Sequence, residues 1–172
     1  MSTKYYDWSA YHASMRGDKV AIVDLDTQEE VTYGALEDRA SRLAEWLQSQ
    51  GVIKGDRVTL LTPNCPEVFE AQFACSKIGA ICIPLNWRLT VPELEYILGD
   101  SAPKVLIYDA KFAEAAEQLI SLCCVPSSLL LDAEDAACAY KQTLAALTGA
   151  YHGAECTLDD VAMIMYTSGT TG

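Results

Sequence analysis

The sequence predicts an α/β fold in which a mostly parallel sheet is flanked by helices. Short apolar runs alternate with segments of helical periodicity along most of the 172-residue chain, which is the pattern of parallel strands joined by helices. The apolar runs begin near residues 58, 80, 104, 128 and 161, so each interval has room for a strand and a crossover helix. A chain of this length can bury roughly 70% of its unfolded surface in one core.

Five of the apolar runs are predicted to be strands of this one sheet. Strands that are covered by helices on both faces are apolar at nearly every position, and these runs approach that composition. The predicted strands are Val58–Thr62, Ala80–Leu85, Lys104–Asp109, Ser128–Asp132 and Val161–Tyr166.

The helices between the strands are predicted from their end signals and their apolar periodicity. Pro66–Lys77 has a proline in its first turn, where proline is favoured, and Gly79 is expected to end it. Thr90 and Glu93 fit a capping box that begins the next helix, and Gly99 is expected to end that one. Two further helices are predicted over Phe112–Cys123 and Ala136–Leu147.

The first third of the chain has a different pattern. Ala21–Leu25 and Glu30–Tyr33 are predicted to be short strands joined by a hairpin-like turn. An apolar stripe recurs at helical spacing from Leu36 to Leu47, and Gly51 is expected to close this helix. The aromatic residues near the N-terminus are interpreted as a packing face of a helix rather than as an interaction patch; they are Tyr5, Tyr6, Trp8 and Tyr11.

Charge and composition argue against several classes of protein. The chain has 24 acidic and 12 basic residues, a net charge of −12, so a surface that neutralises nucleic-acid phosphates is not expected. The longest uncharged run, Gln118–Leu131, has 14 residues, whereas a membrane helix needs about 20. The N-terminus lacks the apolar core of a secretory signal. We therefore expect a cytoplasmic protein without a membrane span.

The seven cysteines are interpreted as reduced thiols that pack as small apolar side chains. Their number is odd and no C-x-x-C motif occurs, and without an export signal a disulfide framework is not expected. The two histidines, His12 and His152, lie far apart in the sequence and far from any cysteine pair. No metal site is therefore expected among these residues.

The end of the chain carries the clearest chemical signal. The last predicted strand leads directly into a loop composed only of Thr, Ser and Gly. Glycines allow the backbone N–H groups to approach phosphate oxygens, and the hydroxyls add further donors. The loop lacks the lysine of a Walker A motif, and on these residues alone a polar tail is the alternative. The loop residues are Thr167, Ser168, Gly169, Thr170, Thr171 and Gly172.

A second loop follows the predicted strand Ala80–Leu85, where ligands bind in open α/β sheets. Its residues Asn86, Trp87 and Arg88 are interpreted mainly as a cover for apolar surface. The alternative is that they shape a site at the edge of the sheet.

Three segments together resemble a known family. The sequence YTSGTTG at residues 166–172 resembles the phosphate loop of the adenylate-forming acyl-CoA synthetases. Val31–Val58 resembles the first signature of this AMP-binding superfamily, and Ser76–Leu98 resembles the second in the form found in fatty-acyl and aryl-acyl CoA ligases. Asp100–Asp109 fits the strand that follows. The resemblance runs from about Trp8 to Gly172.

The resemblance implies a two-step reaction of the full-length protein. A carboxylic acid, in particular a fatty acid, would attack the α-phosphate of Mg-ATP to give acyl-adenylate and pyrophosphate. The thiol of coenzyme A would then take the acyl group and release AMP. In the family, the loop corresponding to Thr167–Gly172 grips the β- and γ-phosphates. Fixed N–H and hydroxyl dipoles of that kind stabilise charge that moves onto the leaving pyrophosphate.

The resemblance also implies that much of the family's site is absent from residues 1–172. The adenine and acyl pockets, the magnesium-binding acid and the C-terminal catalytic lysine would all follow Gly172. We therefore expect residues 1–172 to be an N-terminal portion that stops at the phosphate loop and contains no catalytic residue. Such a piece is expected to be inactive alone and, with uncovered apolar surface, to self-associate.

Two other functions remain open at the level of sequence. One is a free-standing α/β module that binds a nucleotide or phosphate without catalysis. The other is an adenylation domain that does not use coenzyme A, which the Ser76–Leu98 segment disfavours.

Overall fold

The computed structural model describes residues 6–132 and 138–167. In these ranges the helices are α1 (Trp8–Arg16), α2 (Tyr33–Ser49), α3 (Pro66–Ile78), α4 (Val91–Ser101), α5 (Ala113–Leu122) and α6 (Ala139–Ala145), with a 3₁₀ turn at Ala110–Phe112. The strands are β1 (Val20–Val23), β2 (Glu30–Thr32), β3 (Arg57–Leu61), β4 (Ile81–Pro84), β5 (Val105–Asp109) and β6 (Ser127–Leu131).

In the described part of the chain, the main sheet has four parallel strands in the order β4–β3–β5–β6. The central strand β3 pairs on both sides, so that Val58 lies opposite Cys82 of β4 and Val105 of β5. The predicted α/β class and four of the five predicted strands are confirmed. The carboxyl ends of these strands share one edge of the sheet, which is where ligands bind in open α/β folds.

Helices cover both faces of the sheet and form two apolar layers. Helices α2, α3 and α6 pack on one face, where Leu43 and Ala74 are fully buried. Helices α4 and α5 pack on the other face, where Leu98 and Leu119 are fully buried. Alternate residues of each strand supply the two layers, as Leu60 and Leu61 of β3 show.

The predicted fifth strand, Val161–Tyr166, does not form a strand. It runs parallel to β4 and makes one isolated bridge, between Met163 and Cys82. Cys82 donates its N–H to the Ala162 carbonyl and accepts the N–H of Ile164, both at 3.1 Å. The next donor on β4 would be Pro84, which has no N–H, so the ladder loses its next bond.

The first third of the chain confirms the predicted hairpin and helix. β1 and β2 pair antiparallel, with Val23 opposite Glu30. Helix α2 begins earlier than the apolar stripe indicates, because the Thr32 hydroxyl caps it by accepting the Ala35 N–H at 3.1 Å. An N-terminal helix is also present, and Asp7 caps α1 by accepting the Ala10 N–H.

The predicted end of α4 at Gly99 is wrong by two residues. The helix continues to Ser101, and Ala102 takes the left-handed conformation with φ 44°. Arg57 accounts for this end, because its guanidinium donates to the carbonyls of Ser101 at 2.6 Å and Ala102 at 2.7 Å. The predicted capping box of Thr90 and Glu93 is present at the other end of the helix.

Candidate functional site

One residue of the predicted phosphate loop, Thr167, belongs to the described part of the chain. It is exposed and lies beyond the carboxyl end of β4, because the segment leading to it runs parallel to that strand. The other predicted loop residues fall outside the described residues; they are Ser168, Gly169, Thr170, Thr171 and Gly172.

The residue before Thr167 is tied to helix α4. The Tyr166 hydroxyl donates a 2.5 Å hydrogen bond to Oδ2 of Asp100, in the last turn of the helix. Its ring packs against the apolar layer beneath α4 and α5. Burial, followed by the hydrogen bond with Asp100, raises the pKa of Tyr166 to about 12. The hydroxyl therefore stays protonated and donates at neutral pH.

A cavity of about 480 Å³ opens beside Thr167. Tyr166, Thr167 and Asn86, which follows β4, line this cavity. The other lining residues come from α4 and the loop before it; they are Leu89, Pro92, Glu93, Tyr96 and Ile97. The cavity therefore lies at the carboxyl edge of the sheet, where the sequence placed the candidate loop.

The loop Asn86–Arg88 was interpreted from the sequence mainly as a cover for apolar surface, and its contacts fit that interpretation. The Arg88 guanidinium lies 4.1 Å from the centre of the Trp87 ring, and Trp87 packs against Phe112 with ring centres 5.9 Å apart. These contacts cover apolar surface. Asn86, in contrast, lines the cavity beside Thr167.

The sequence reasoning missed Tyr96, which lines this cavity, and Asp100, which accepts the hydrogen bond of Tyr166. Asp100 gives one recognisable signal, because a carboxylate in the last turn of a helix lies at the negative end of the helix dipole. Such an unfavourable position calls for a partner, and Tyr166 provides it.

A second cavity, of about 590 Å³, lies on the opposite face of the sheet between α2, α3 and α6. Glu70 is fully buried there, accepting from the Tyr140 hydroxyl at 2.6 Å and from Arg39 at 3.3 Å. Burial and the neighbouring Glu67 raise the pKa of Glu70 despite these hydrogen bonds. The cavity shares no lining residue with the one beside Thr167.

The described ranges contain no cluster of metal-binding side chains, and their cysteines are free thiols. No group of three His, Cys, Asp or Glu residues that could hold a metal ion occurs in residues 6–132 and 138–167. All seven cysteines are free thiols, and burial raises the pKa of Cys65 to about 12. A thiol with so high a pKa is a weak nucleophile at neutral pH.

Within residues 6–132 and 138–167, no helix has the length and apolar character needed to cross a membrane.

Comparison with known proteins gives a consistent set of relatives. Residues 10–172 match the family described as AMP-binding enzyme. A feruloyl-CoA synthase from an Amycolatopsis species is 41% identical over 167 residues, which cover 96% of this chain and 31% of the relative. The structure of a Mycobacterium tuberculosis fatty acyl CoA synthetase matches with a TM-score of 0.82 and 32% identity, over 94% of this chain and 32% of that one.

A third relative was solved with nucleotide. ATP-bound MatB from Rhodopseudomonas palustris matches with a TM-score of 0.80 and 27% identity, over 95% of this chain and 33% of that one. The chain thus spans about a third of the length of the curated relatives it matches.

Proposed function

Because this chain belongs to the AMP-binding enzyme family, we propose that the full-length protein is an acid–thiol ligase. It activates a carboxylic acid with ATP to form an acyl-adenylate and pyrophosphate. It then transfers the acyl group to coenzyme A and releases AMP. In this proposal, Thr167, Ser168, Gly169, Thr170, Thr171 and Gly172 bind the β- and γ-phosphates during the first step.

The position of Thr167 is the observation that best supports this proposal. It follows a segment parallel to β4 and lies beside a cavity at the carboxyl edge of the sheet. That edge is where open α/β sheets bind ligands, and the residues that follow Thr167 are all Thr, Ser or Gly. Backbone N–H groups and hydroxyls of such a loop suit phosphate oxygens and need no charged side chain.

The proposed acid is a fatty or an aromatic acid, with a fatty acid as the first candidate. The relatives support both classes, since one is named a feruloyl-CoA synthase and another a fatty acyl CoA synthetase. The family resemblance assigns the acyl pocket to residues after Gly172. We therefore propose the chemical step and leave the choice between the two acid classes to experiment.

Magnesium and coenzyme A are proposed co-reactants of the full-length protein. Magnesium supplies charge neutralisation of the ATP phosphates when it is bound. Residues 6–132 and 138–167 contain no group of three acids, cysteines or histidines suited to a metal, so we assign none of them to magnesium. The residues assigned to ATP are those of the phosphate loop.

We also propose that residues 1–172 are the N-terminal portion of a larger adenylate-forming domain and are inactive alone. Three apolar side chains near the end of the described chain are strongly exposed: Leu158 (66%), Val161 (56%) and Met165 (65%). Further chain, or a second copy of this one, would remove this surface from water. Pyrophosphate release from ATP and acid by the 172-residue chain would contradict this part of the proposal.

The decisive experiment measures the products of the full-length protein. It is incubated with Mg-ATP, coenzyme A and either ferulate or palmitate, and AMP, pyrophosphate and the thioester are quantified. We expect AMP and pyrophosphate in equal amounts, and only when an acid is present. ATP binding without acid-dependent pyrophosphate release would instead support a nucleotide-binding module. Pyrophosphate release without a thioester would support an adenylation domain that uses another acceptor.

A further inference from the structure

The segment that leads to Thr167 is held to the sheet only over its first half. Its main-chain hydrogen bonds to β4 end at Ile164, whose N–H donates to the Cys82 carbonyl at 3.1 Å. Pro84 of β4 offers no N–H with which the ladder could continue. The residues that follow Ile164 therefore need another attachment if Thr167 is to have a fixed position.

Tyr166 provides that attachment on the side of α4. Its hydroxyl donates to Oδ2 of Asp100 at 2.5 Å, across 66 positions of sequence. Its ring packs into the apolar layer beneath α4 and α5. A hydrogen bond to a carboxylate is stronger than one between neutral groups, so a single side chain can replace the missing ladder bonds.

Helix α4 is a firm anchor because both of its ends are capped. At its start, Oε2 of Glu93 accepts the N–H and the hydroxyl of Thr90, both at 2.7 Å. At its end, Arg57 of β3 donates to the carbonyls of Ser101 and Ala102. Arg57 thereby ties the turn that carries Asp100 to the central strand of the sheet.

The position of Asp100 near the end of α4 is electrostatically unfavourable. A carboxylate in the last turn of a helix faces the negative end of the helix dipole. The partner that offsets this cost is the hydroxyl of the residue directly before the candidate phosphate loop.

We infer that Asp100 and Tyr166 form a positioning pair that fixes the start of the phosphate-binding loop, so that Thr167 stays at the wall of the 480 Å³ cavity. Neither residue touches the reacting atoms in this inference. It rests on the proposed function, since the loop it positions is the one proposed to bind ATP phosphates. The pair acts only on the step in which those phosphates are bound.

The test compares Tyr166→Phe, Asp100→Ala and the double variant in the full-length protein. We expect each single variant to lower kcat/KM for ATP in acid-dependent pyrophosphate release by about tenfold, the size of one hydrogen bond to a charged group. The double variant should lose no more than either single variant, because both remove the same bond. The rate of thioester formation from preformed acyl-adenylate should stay unchanged. A variant that had lost its fold would instead lose this second half-reaction as well.

Tyr11→Phe is the matched control, because Tyr11 also carries a half-exposed phenol but lies on α1, away from the loop. It should behave as wild type in both half-reactions. The inference that Asp100 and Tyr166 position the loop would be wrong if Tyr166→Phe slowed both half-reactions equally. It would also be wrong if the losses of rate in the double variant were additive.

A second measurement does not depend on activity. In Tyr166→Phe the amides of residues 163–167 should exchange with deuterium faster than in wild type, and in Tyr11→Phe at the wild-type rate. Unchanged exchange in Tyr166→Phe would overturn the pair even in a protein that forms no adenylate. Conversely, if Tyr166→Phe shows the faster exchange but the wild-type protein releases no pyrophosphate, the proposed function is contradicted while the attachment through Tyr166 stands.

Discussion

The Lys77 ammonium lies 2.8 Å from both carboxylate oxygens of Glu37. This contact joins helices α2 and α3, and the Lys77 side chain is only 1% exposed. Asp7, the cap of α1, lies 2.8 Å from the same ammonium, so one buried cation connects three helices. Burial lowers the pKa of Lys77, but the hydrogen bonds that Lys77 donates to Asp7 and Glu37 outweigh it and raise the pKa above 10.5.

Lys77→Met is therefore expected to lower the free energy of unfolding by about 2–4 kcal/mol, because two carboxylates lose their partner while methionine keeps the volume. Urea denaturation of the two proteins at neutral pH measures the difference. Lys54→Met is the matched control: Lys54 pairs with Asp160 at 2.9 Å but is 44% exposed, so it should cost less than about 1 kcal/mol. Equal losses in the two variants would show that burial of Lys77 adds nothing.

The raised pKa of the buried Glu70 side chain makes the stability of the protein depend on pH. Burial and the charge of Glu67 raise its pKa in the folded protein above the ordinary 4.5. The folded state then holds the proton more tightly than the unfolded state does. The contribution of Glu70 to stability is fully present below pH 4.5 and is lost as the pH rises through the raised value.

Glu70→Gln removes this titration and keeps the shape of the side chain. The free energy of unfolding of the variant, relative to wild type, should increase as the pH is raised from about 4.5 to about 8. Denaturation at a series of pH values gives this difference directly. A difference that stays constant or decreases over the range would mean that the ion pair of Glu70 with Arg39 outweighs burial.

The residue at which a helix ends could be predicted from the sequence where the cause of that end is local. Gly79 was predicted to end α3, and it does so in the left-handed conformation with φ 71°. Gly99 was predicted to end α4 by the same reasoning, but it lies inside the helix. The difference is Arg57, which caps the carbonyls of Ser101 and Ala102 from more than 40 positions away in the sequence.

The candidate site shows the same limit. The apolar run Val161–Tyr166 and the polar loop after it could be read from the sequence, and the position of Thr167 at the carboxyl edge follows from them. The single bridge made by Val161–Tyr166 could not be predicted from that segment alone. It depends on which strand lies beside the segment, and this neighbour is β4, in which Pro84 has no N–H. The contact of Tyr166 with Asp100 depends on how α4 packs, which local patterns do not encode.

Alanine substitutions at Gly79 and Gly99 are expected to change the free energy of unfolding in opposite directions. At Gly79 the backbone has φ 71°, and an added Cβ would meet Cγ of Lys54 at 2.8 Å and Sγ of Cys156 at 3.0 Å. Gly79→Ala should therefore lower the free energy of unfolding by about 1–3 kcal/mol. At Gly99 nothing lies within 4 Å of an added Cβ, so Gly99→Ala should raise it by about 0.5–1 kcal/mol. Thermal and urea denaturation of both variants test the signs, and a stabilising Gly79→Ala would contradict the account of this helix end.

The last prediction concerns Thr167 and the chemistry of the proposed loop. If the loop binds the β- and γ-phosphates, its donors act while pyrophosphate is leaving and have no ligand in the second step. Thr167→Ala and Gly169→Ala in the full-length protein should therefore slow acid-dependent pyrophosphate release by about ten- to a hundredfold. Thioester formation from synthetic acyl-adenylate should change by less than about twofold. Thr27→Ala serves as the control, because Thr27 is an exposed turn residue of the hairpin between β1 and β2 and should leave both rates unaltered. If the Thr167 and Gly169 variants lost both half-reactions equally, the loop would not be acting through the departing phosphates, and the role assigned to it would be wrong.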